Sequence, residues 1–462
     1  MEVLVVSLEE KDAIDWIYRG EGAANIVLGY TGSSPIFVGK VIRIQKVPRS
    51  RQQCKIVTSV FSIHENILWK DSIDLVSCTS KENAGQLFVL NVMIPLLGSE
   101  HVDAGVHVLV SREFLEAVEH NILCQRPAWR VHTAKVNIFC DSALLISDHS
   151  VFPEGKNYLC FREQPKWGFL PCSRFIAEGN ALKRSISRFR MHQVLKLHLG
   201  EISRLSEYDP LDLFSGSSER INKAIKSLFT TPQNNLRIFL NGSLIFGGLG
   251  GGTDETSIMV KEALEDKIGD AIQAGRGLRL ASFQNLVAET IFQSRVLNQL
   301  LQAQKRDSFD IEGAIHAYYN IVSKPCKVCQ DLGDYELSRR YLPLHSISLE
   351  ESINIVKDYL IAATAKDCSL MISFRPREDG DKVSSYSTVC LESTNQIFDY
   401  KAYFIDLDMK PLKKMVHYYE LDQKIVSCYT KMEKMVHGPP PDSFDLKLHG
   451  RVKSDEVVGN SC

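Results

Sequence analysis

The chain has 462 residues, 44% of them hydrophobic and 24% charged, with a formal net charge of −2. That length allows two or three domains with sizeable cores, while the balanced charge excludes a general binder of nucleic acid or anionic membrane, so any anion site must be a local basic pocket. The isoelectric point of about 6.7 also stands below the value of about 9 expected of a zinc-bearing nucleic-acid binder.

From Met1 to Ala13 a short apolar run is followed by Glu9, Glu10, Lys11 and Asp12, so no secretory leader is expected. No stretch approaches the roughly 18 consecutive apolar residues of a membrane span. The twelve cysteines are scattered singly apart from Cys326-x-x-Cys329. That usage reads as reduced thiols plus one metal site in a cytoplasmic or nuclear protein. A small-molecule substrate is expected, with no nucleic acid or membrane partner, and the chain is expected to be a monomer.

Short β-branched and aromatic runs predict strands at Trp16 to Tyr18, Asn25 to Tyr30 and Pro35 to Ile44. Helical periodicity follows at Lys81 to Leu97, Ser111 to Asn121, Phe189 to Leu199 and Glu219 to Thr230. Leu236 to Phe246 reads as strand, and Gly247 to Gly252 as a glycine-rich surface insertion; no Gly-Lys-Ser/Thr follows it, so it is not a phosphate loop. Phe283 to Tyr319, Ser352 to Lys366 and Pro411 to Met432 read as helical, with strands at Leu370 to Phe374 and Tyr400 to Leu407. The tail after Val436, with three consecutive prolines, is expected to be disordered.

Several segments carry chemistry. Gly20-x-Gly22-x-x-Asn25-x-Val27 lies between two expected strands and approximates the glycine loop of protein kinases, whose backbone N–H groups approach phosphate. A plain hairpin turn is the alternative for the same residues. Lys40 follows on a strand that could contact phosphate. His316, Cys326, Cys329 and His345 form His-x9-Cys-x2-Cys-x15-His, a four-ligand set suited to a closed, structural zinc site; buried thiols beside an ordinary histidine are the alternative. Asp367, at a helix-to-strand junction, could accept a hydroxyl proton, and Asp406, at a strand end, could hold magnesium on nucleotide phosphates. Lys410, Lys414 and Tyr418 are spaced to share one helix face, either as an anion site or as a solvated face.

Together these segments resemble the plant inositol-pentakisphosphate 2-kinases. The resemblance runs from Asp12 to about Tyr419. Its specific strings include Asp-Trp-Ile-Tyr-Arg-Gly-Glu-Gly (15–22), Glu-Tyr-Asp-Pro-Leu-Asp-Leu-Phe-Ser-Gly (207–216) and Ile-Glu-Gly-Ala-Ile-His (311–316). It implies an ATP-dependent kinase that phosphorylates the 2-hydroxyl of inositol 1,3,4,5,6-pentakisphosphate, giving inositol hexakisphosphate (phytate). The implied fold is α+β: two α/β lobes distantly like protein kinases, with ATP between them and a structural zinc site in the C-lobe. Residues 1–150 would form the N-lobe, 151–435 the C-lobe and 436–462 a tail. On matching positions Gly22, Ala23, Ala24, Asn25, Arg43, Ser147, Asp148, His149, Arg237 and Asp406 would serve ATP. Arg130, Lys166, Lys196, Asn234, Lys410, Lys414 and Tyr418 would hold the inositol phosphates, with Asp367 as the base. Zinc would fall on His316, Cys326, Cys329 and His345.

Three departures accompany the resemblance. Where the family carries Glu-x-Lys-Pro-Lys, this chain has Arg162-Glu163-Gln164-Pro165-Lys166. Lys414 stands for an arginine and Ser147 for an asparagine. Loss of a preorganised charge at residue 164 would cost on the order of 100-fold in rate, which leaves a catalytically impaired inositol polyphosphate-binding protein as the alternative.

Overall fold

The computed structural model describes residues 6–437 except 23, 51–59, 154, 234, 248–257, 331, 333–336 and 379–383. Ala23, Asn234, most of the expected glycine-rich insertion and nearly all of the expected tail therefore lie outside the described residues.

The fold is mixed α+β and carries two sheets. The first contains β1 (Ser7–Leu8), β2 (Trp16–Glu21), β3 (Asn25–Tyr30), β4 (Lys40–Pro48), β5 (Val106–Val110), β6 (Ala134–Val136) and β7 (Ser142–Ser147). Its order is β1-β5-β7-β4-β3-β2, with β6 also on β4, and only the β1–β5 pair is parallel. Alternate side chains of β3 and β4, such as Ile26, Leu28, Ile42 and Ile44, are fully buried and pack against Phe114, Leu115 and Val118 of the helix Arg112–Ile122, as a sheet with one apolar face requires. The second sheet contains β8 (Leu159–Glu163), β9 (Leu236–Leu240), β10 (Ser243–Phe246), β11 (Ser369–Pro376), β12 (Ser387–Leu391) and β13 (Gln396–Ile405), in the antiparallel order β10-β9-β8-β11-β13-β12. Helices cover its buried face. Apolar residues of 61–102 bury themselves in this larger core rather than in that of the first sheet.

Local chemistry explains where elements depart from the periodicity. The expected strand at Pro35 to Ile44 begins only at Lys40, after a turn over 35–39. Leu236 to Phe246 is a hairpin: Asn241 and Gly242 have φ of 49° and 77°, the pair of positive dihedrals that a two-residue turn needs and that this dipeptide supplies. The helical run at Lys81 to Leu97 widens to π geometry over Val89–Met93, in the turn ahead of Pro95, which has no N–H to donate and crowds that turn. Phe283 to Tyr319 is not one helix but parts of three, Arg279–Ser294, Val296–Gln304 and Asp310–Ile321. Arg295 and Asp310 at the breaks are left-handed, with φ of 54° and 59°. No helix among the described residues is long and apolar enough to cross a membrane.

The two sheets meet along a polar seam. Phe404 N donates to His101 O at 2.8 Å, and His101 Nδ1 lies 2.9 Å from Ala402 O. His149 stacks on Tyr403 with ring centres 3.8 Å apart. Deeper in the larger core the Lys183 ammonium is shared by Asp310, Glu312 and Asp422, and Arg188 also pairs with Asp422. Those three carboxylates could hold a metal ion by spacing, but the lysine already fills their centre.

Consecutive residues of β8 face opposite ways. Arg162 turns to the seam, whereas Glu163 is fully buried, opposite Leu236 and Leu370. Neither oxygen of Glu163 has a hydrogen-bond partner among the described residues, and burial pushes its pKa up to about 8. The group is thus held as the neutral acid in the fold but ionises near pH 4.3 when unfolded. Its folded value is raised, so the stability it permits is full below about pH 4 and is lost as pH climbs toward 8, by up to about 1.4 kcal/mol per pH unit. We expect Glu163→Met to be more stable than the parent in urea melts, with a gap that widens from pH 5 to 8; parallel pH profiles would contradict this.

Candidate active site at the seam of two sheets

Asp406 follows the last residue of β13 in a left-handed conformation, φ 63°, a backbone state that a non-glycine residue adopts only when its surroundings enforce it. Its Oδ2 receives Arg162 Nη2 at 2.7 Å and the Ser369 hydroxyl at 3.1 Å. Two further arginines converge here. Arg237 sits opposite Arg162 in the β8–β9 ladder, and Arg43 of β4 donates through Nη2 to both oxygens of Asp408, at 2.8 and 3.0 Å. Burial would raise the Asp406 pKa, but Arg162 and then Arg43 outweigh it and hold the carboxyl below its ordinary value. Burial, then the charge of Arg162, draws Arg237 down to about 10.

A lysine-rich cluster adjoins this arginine site. Asp367 ends the helix Leu349–Asp367, two residues before Ser369, and Lys410 Nζ donates to its Oδ2 at 2.5 Å. Lys410 is not on the following helix, as its spacing with Lys414 and Tyr418 suggested. That helix is Lys414–His437, because Pro411 disfavours helical geometry at residue 410. Lys410 thus reaches Asp367 from a loop, and Lys414 is exposed at the helix start. Tyr418 is half-buried near Lys410 and Asp367; burial raises its phenol, partly offset by Lys410. Lys166, also left-handed at φ 64°, donates to Gln164 Oε1 at 2.7 Å. Burial lowers Lys166 to about 8, opposed by Asp367 and reinforced by Lys196. Burial and the charges of Lys196, Arg188 and Lys166 push His192 down to about 3.

Gln304 fixes this cluster and was not apparent from the sequence. Fully buried, its amide donates to Lys166 O at 2.8 Å and Ala365 O at 3.2 Å, and its carbonyl accepts Gly168 N at 2.8 Å. Lys366, beside Asp367, is buried against Asp307 with its ammonium 3.9 Å from the Trp167 ring centre. Arg188 covers the same ring at 4.7 Å.

The glycine segment forms the β2–β3 turn. Lys46 Nζ donates to Gly22 O at 2.6 Å, and Arg130 Nη1 to the same oxygen at 3.3 Å. Arg130, expected on the inositol phosphate side, thus rests against the glycine turn. Below it Glu21 is clasped by Lys46 and by both Nε and Nη2 of Arg126, a buried triad also missed in the sequence. Gly22 N bonds Asn25 O at 2.9 Å, with Ala24 in the turn between them. Along β7, Ser147 N donates to Asp103 Oδ2 at 3.0 Å, and Lys40 Nζ donates to Ser147 Oγ at 3.1 Å. Asp148 N donates to Gly39 O at 2.8 Å. His149, stacked on Tyr403, is lowered to about 4 by burial, against the pull of Asp103.

His316, Cys326, Cys329 and His345 present four ligand atoms, all within 4.8 Å of one another. A zinc tetrahedron with bonds of about 2.0 Å to nitrogen and 2.3 Å to sulfur has edges of roughly 3.3–3.8 Å. The structure has His316 Nδ1 3.1 Å from His345 Nε2 and Cys329 Sγ 3.3 and 3.1 Å from those nitrogens, with Cys326 Sγ 3.5 Å from His316 Nδ1. These spacings suit one metal ion. Asn320 Oδ1 lies 3.3 Å from His345 Nδ1, orienting that ring as metal-bound imidazoles require.

A family model described as inositol-pentakisphosphate 2-kinase matches residues 18–424. The chain is similar to an inositol-pentakisphosphate 2-kinase of Oryza sativa subsp. indica, 53% identical over 95% of this chain and 98% of that protein. One from Arabidopsis thaliana is 54% identical over 92% of this chain and 96% of its own length. One from Danio rerio is 29% identical over 95% and 97%.

Proposed function

Because the chain belongs to the inositol-pentakisphosphate 2-kinase family, we propose that it transfers the γ-phosphate of ATP to the 2-hydroxyl of inositol 1,3,4,5,6-pentakisphosphate, yielding inositol hexakisphosphate. Membership makes the chain a kinase, a transferase. The alternative of a binding protein without turnover gains no support, since the relatives are named as kinases over nearly the whole chain. The observation that carries the proposal is the adjacency of the arginine cluster around Asp406 to the lysine cluster around Asp367, with Ser369 joining the two.

In this reading the sheets are the cores of two kinase lobes, about residues 1–150 and 151–435, with residues 61–102 packed on the second core and ATP between the lobes. The β2–β3 turn, Arg43, the Ser147 to His149 segment, Arg237 and Asp406 serve the nucleotide. Lys166, Lys196, Lys410, Lys414 and Tyr418, together with Arg130 and Asn234, hold the inositol phosphates. Lys410 occupies Oδ2 of Asp367, which leaves Oδ1 to accept the proton of the attacking hydroxyl. Phosphoryl transfer then depends on positioning and on neutralising charge. Gln164 is neutral, so Lys166, which it orients, supplies the cation beside the acceptor. We assign zinc to the His316–Cys326–Cys329–His345 cluster, where four protein ligands close the shell and make the ion structural.

Two outcomes test this assignment. Asp367→Asn should cut kcat by about 100-fold to 10,000-fold while inositol pentakisphosphate still binds in a calorimetric titration; unchanged turnover would remove Asp367 from the chemistry. The purified protein should carry about one zinc per chain by atomic emission, and Cys326→Ser should lower both metal content and melting temperature. A protein free of zinc whose Cys326→Ser variant melts with the parent would refute the metal assignment.

A further inference from the structure

A kinase is expected to meet the divalent ion on its nucleotide at a carboxylate such as Asp406, and here an arginine already stands at that carboxylate. Oδ2 of Asp406 is taken by Arg162 at 2.7 Å and by Ser369 at 3.1 Å. At the nearby Asp408 both oxygens receive Arg43. Arg237 faces Arg162 across the ladder, so guanidinium groups of Arg43, Arg162 and Arg237 gather at this seam, a concentration that favours a polyphosphate.

We propose that Arg162 stands in for the metal ion at Asp406, neutralising the carboxylate and presenting its remaining N–H groups to the nucleotide phosphates, so that this chain binds adenine nucleotide with little dependence on divalent cation. The proposal rests on the reading of Asp406 as a nucleotide-side group. A guanidinium carries five donors in a planar fork. Arg162 uses Nη2 on Asp406 and Ser369, and its side chain remains 21% exposed, which keeps the rest of the fork open to a phosphate. Arg162 is therefore a nucleotide-binding residue that decides the metal requirement.

The test is equilibrium binding of a fluorescent ATP analogue, once in excess EDTA and once in millimolar magnesium chloride. The wild-type dissociation constants should agree within about threefold, whereas Arg162→Ala should weaken binding about tenfold or more in EDTA and recover with magnesium, because Asp406 is released. Arg162→Lys, which keeps the charge, should stay close to wild type in EDTA. Thermal melts of both variants establish that they fold; if Arg162→Ala does not, Arg162→Lys and the wild-type ratio still decide. A wild-type affinity that collapses in EDTA, with the variants behaving alike, overturns the proposal and spares the nucleotide reading of Asp406. If wild type binds no adenine nucleotide in either medium, that reading falls and the proposal with it.

Discussion

The ion pair between Arg162 and Asp406 is the contact around which the site is arranged. It ties β8 to the end of β13, and Ser369 brings β11 to the same oxygen. The left-handed backbone at Asp406 costs on the order of 1–3 kcal/mol and persists only where neighbours over-determine it. Here the β13 pairing of Phe404 and Ala402 with His101 fixes the preceding backbone, and Arg162 and Arg43 draw the carboxylate into place electrostatically. Lys166, the other site residue with a left-handed backbone, is pinned through its carbonyl by Gln304. Strain at both positions coincides with the two groups that face the reacting phosphate in the proposed reaction.

A second, buried network carries these groups on the larger core. Lys183 holds Asp310 and Glu312, on the helix that also bears His316, to Asp422 on the C-terminal helix. Arg188 extends the line from Asp422 to the Trp167 ring, and Lys366 covers that ring from the side of Asp367. Removing one partner of such a buried set would leave uncompensated charge, typically a loss of about 3–5 kcal/mol. The His316 helix and the end of the helix that bears Asp367 thus share one continuous buried network of charged and aromatic side chains.

What could be read from the sequence follows from how local the determining contacts are. The four expected metal ligands fall within thirty residues with a Cys-x-x-Cys pair, and the structure brings all four together. Asp367 and Asp406 stood out by their places at element ends, and both sit at the seam. The helix face of Lys410, Lys414 and Tyr418 failed at Lys410 because Pro411 delays the helix, yet the tertiary contact to Asp367 keeps Lys410 in the cluster. Gln304, the Glu21 triad and the Lys366–Trp167 stack left no local signal, since their partners lie 138, 105 and 199 residues apart. The partner of Arg162, 244 residues away, was equally hidden.

The most direct measurement is the identity of the product formed by the wild-type protein from ATP and inositol 1,3,4,5,6-pentakisphosphate, resolved by phosphorus and proton NMR. A new phosphoester at carbon 2, with inositol hexakisphosphate accumulating as ATP is consumed, is the predicted result. Phosphate released only to water, or esterified at no position while the inositol phosphate binds, would contradict a kinase site built from Asp367, Lys166 and the arginines around Asp406.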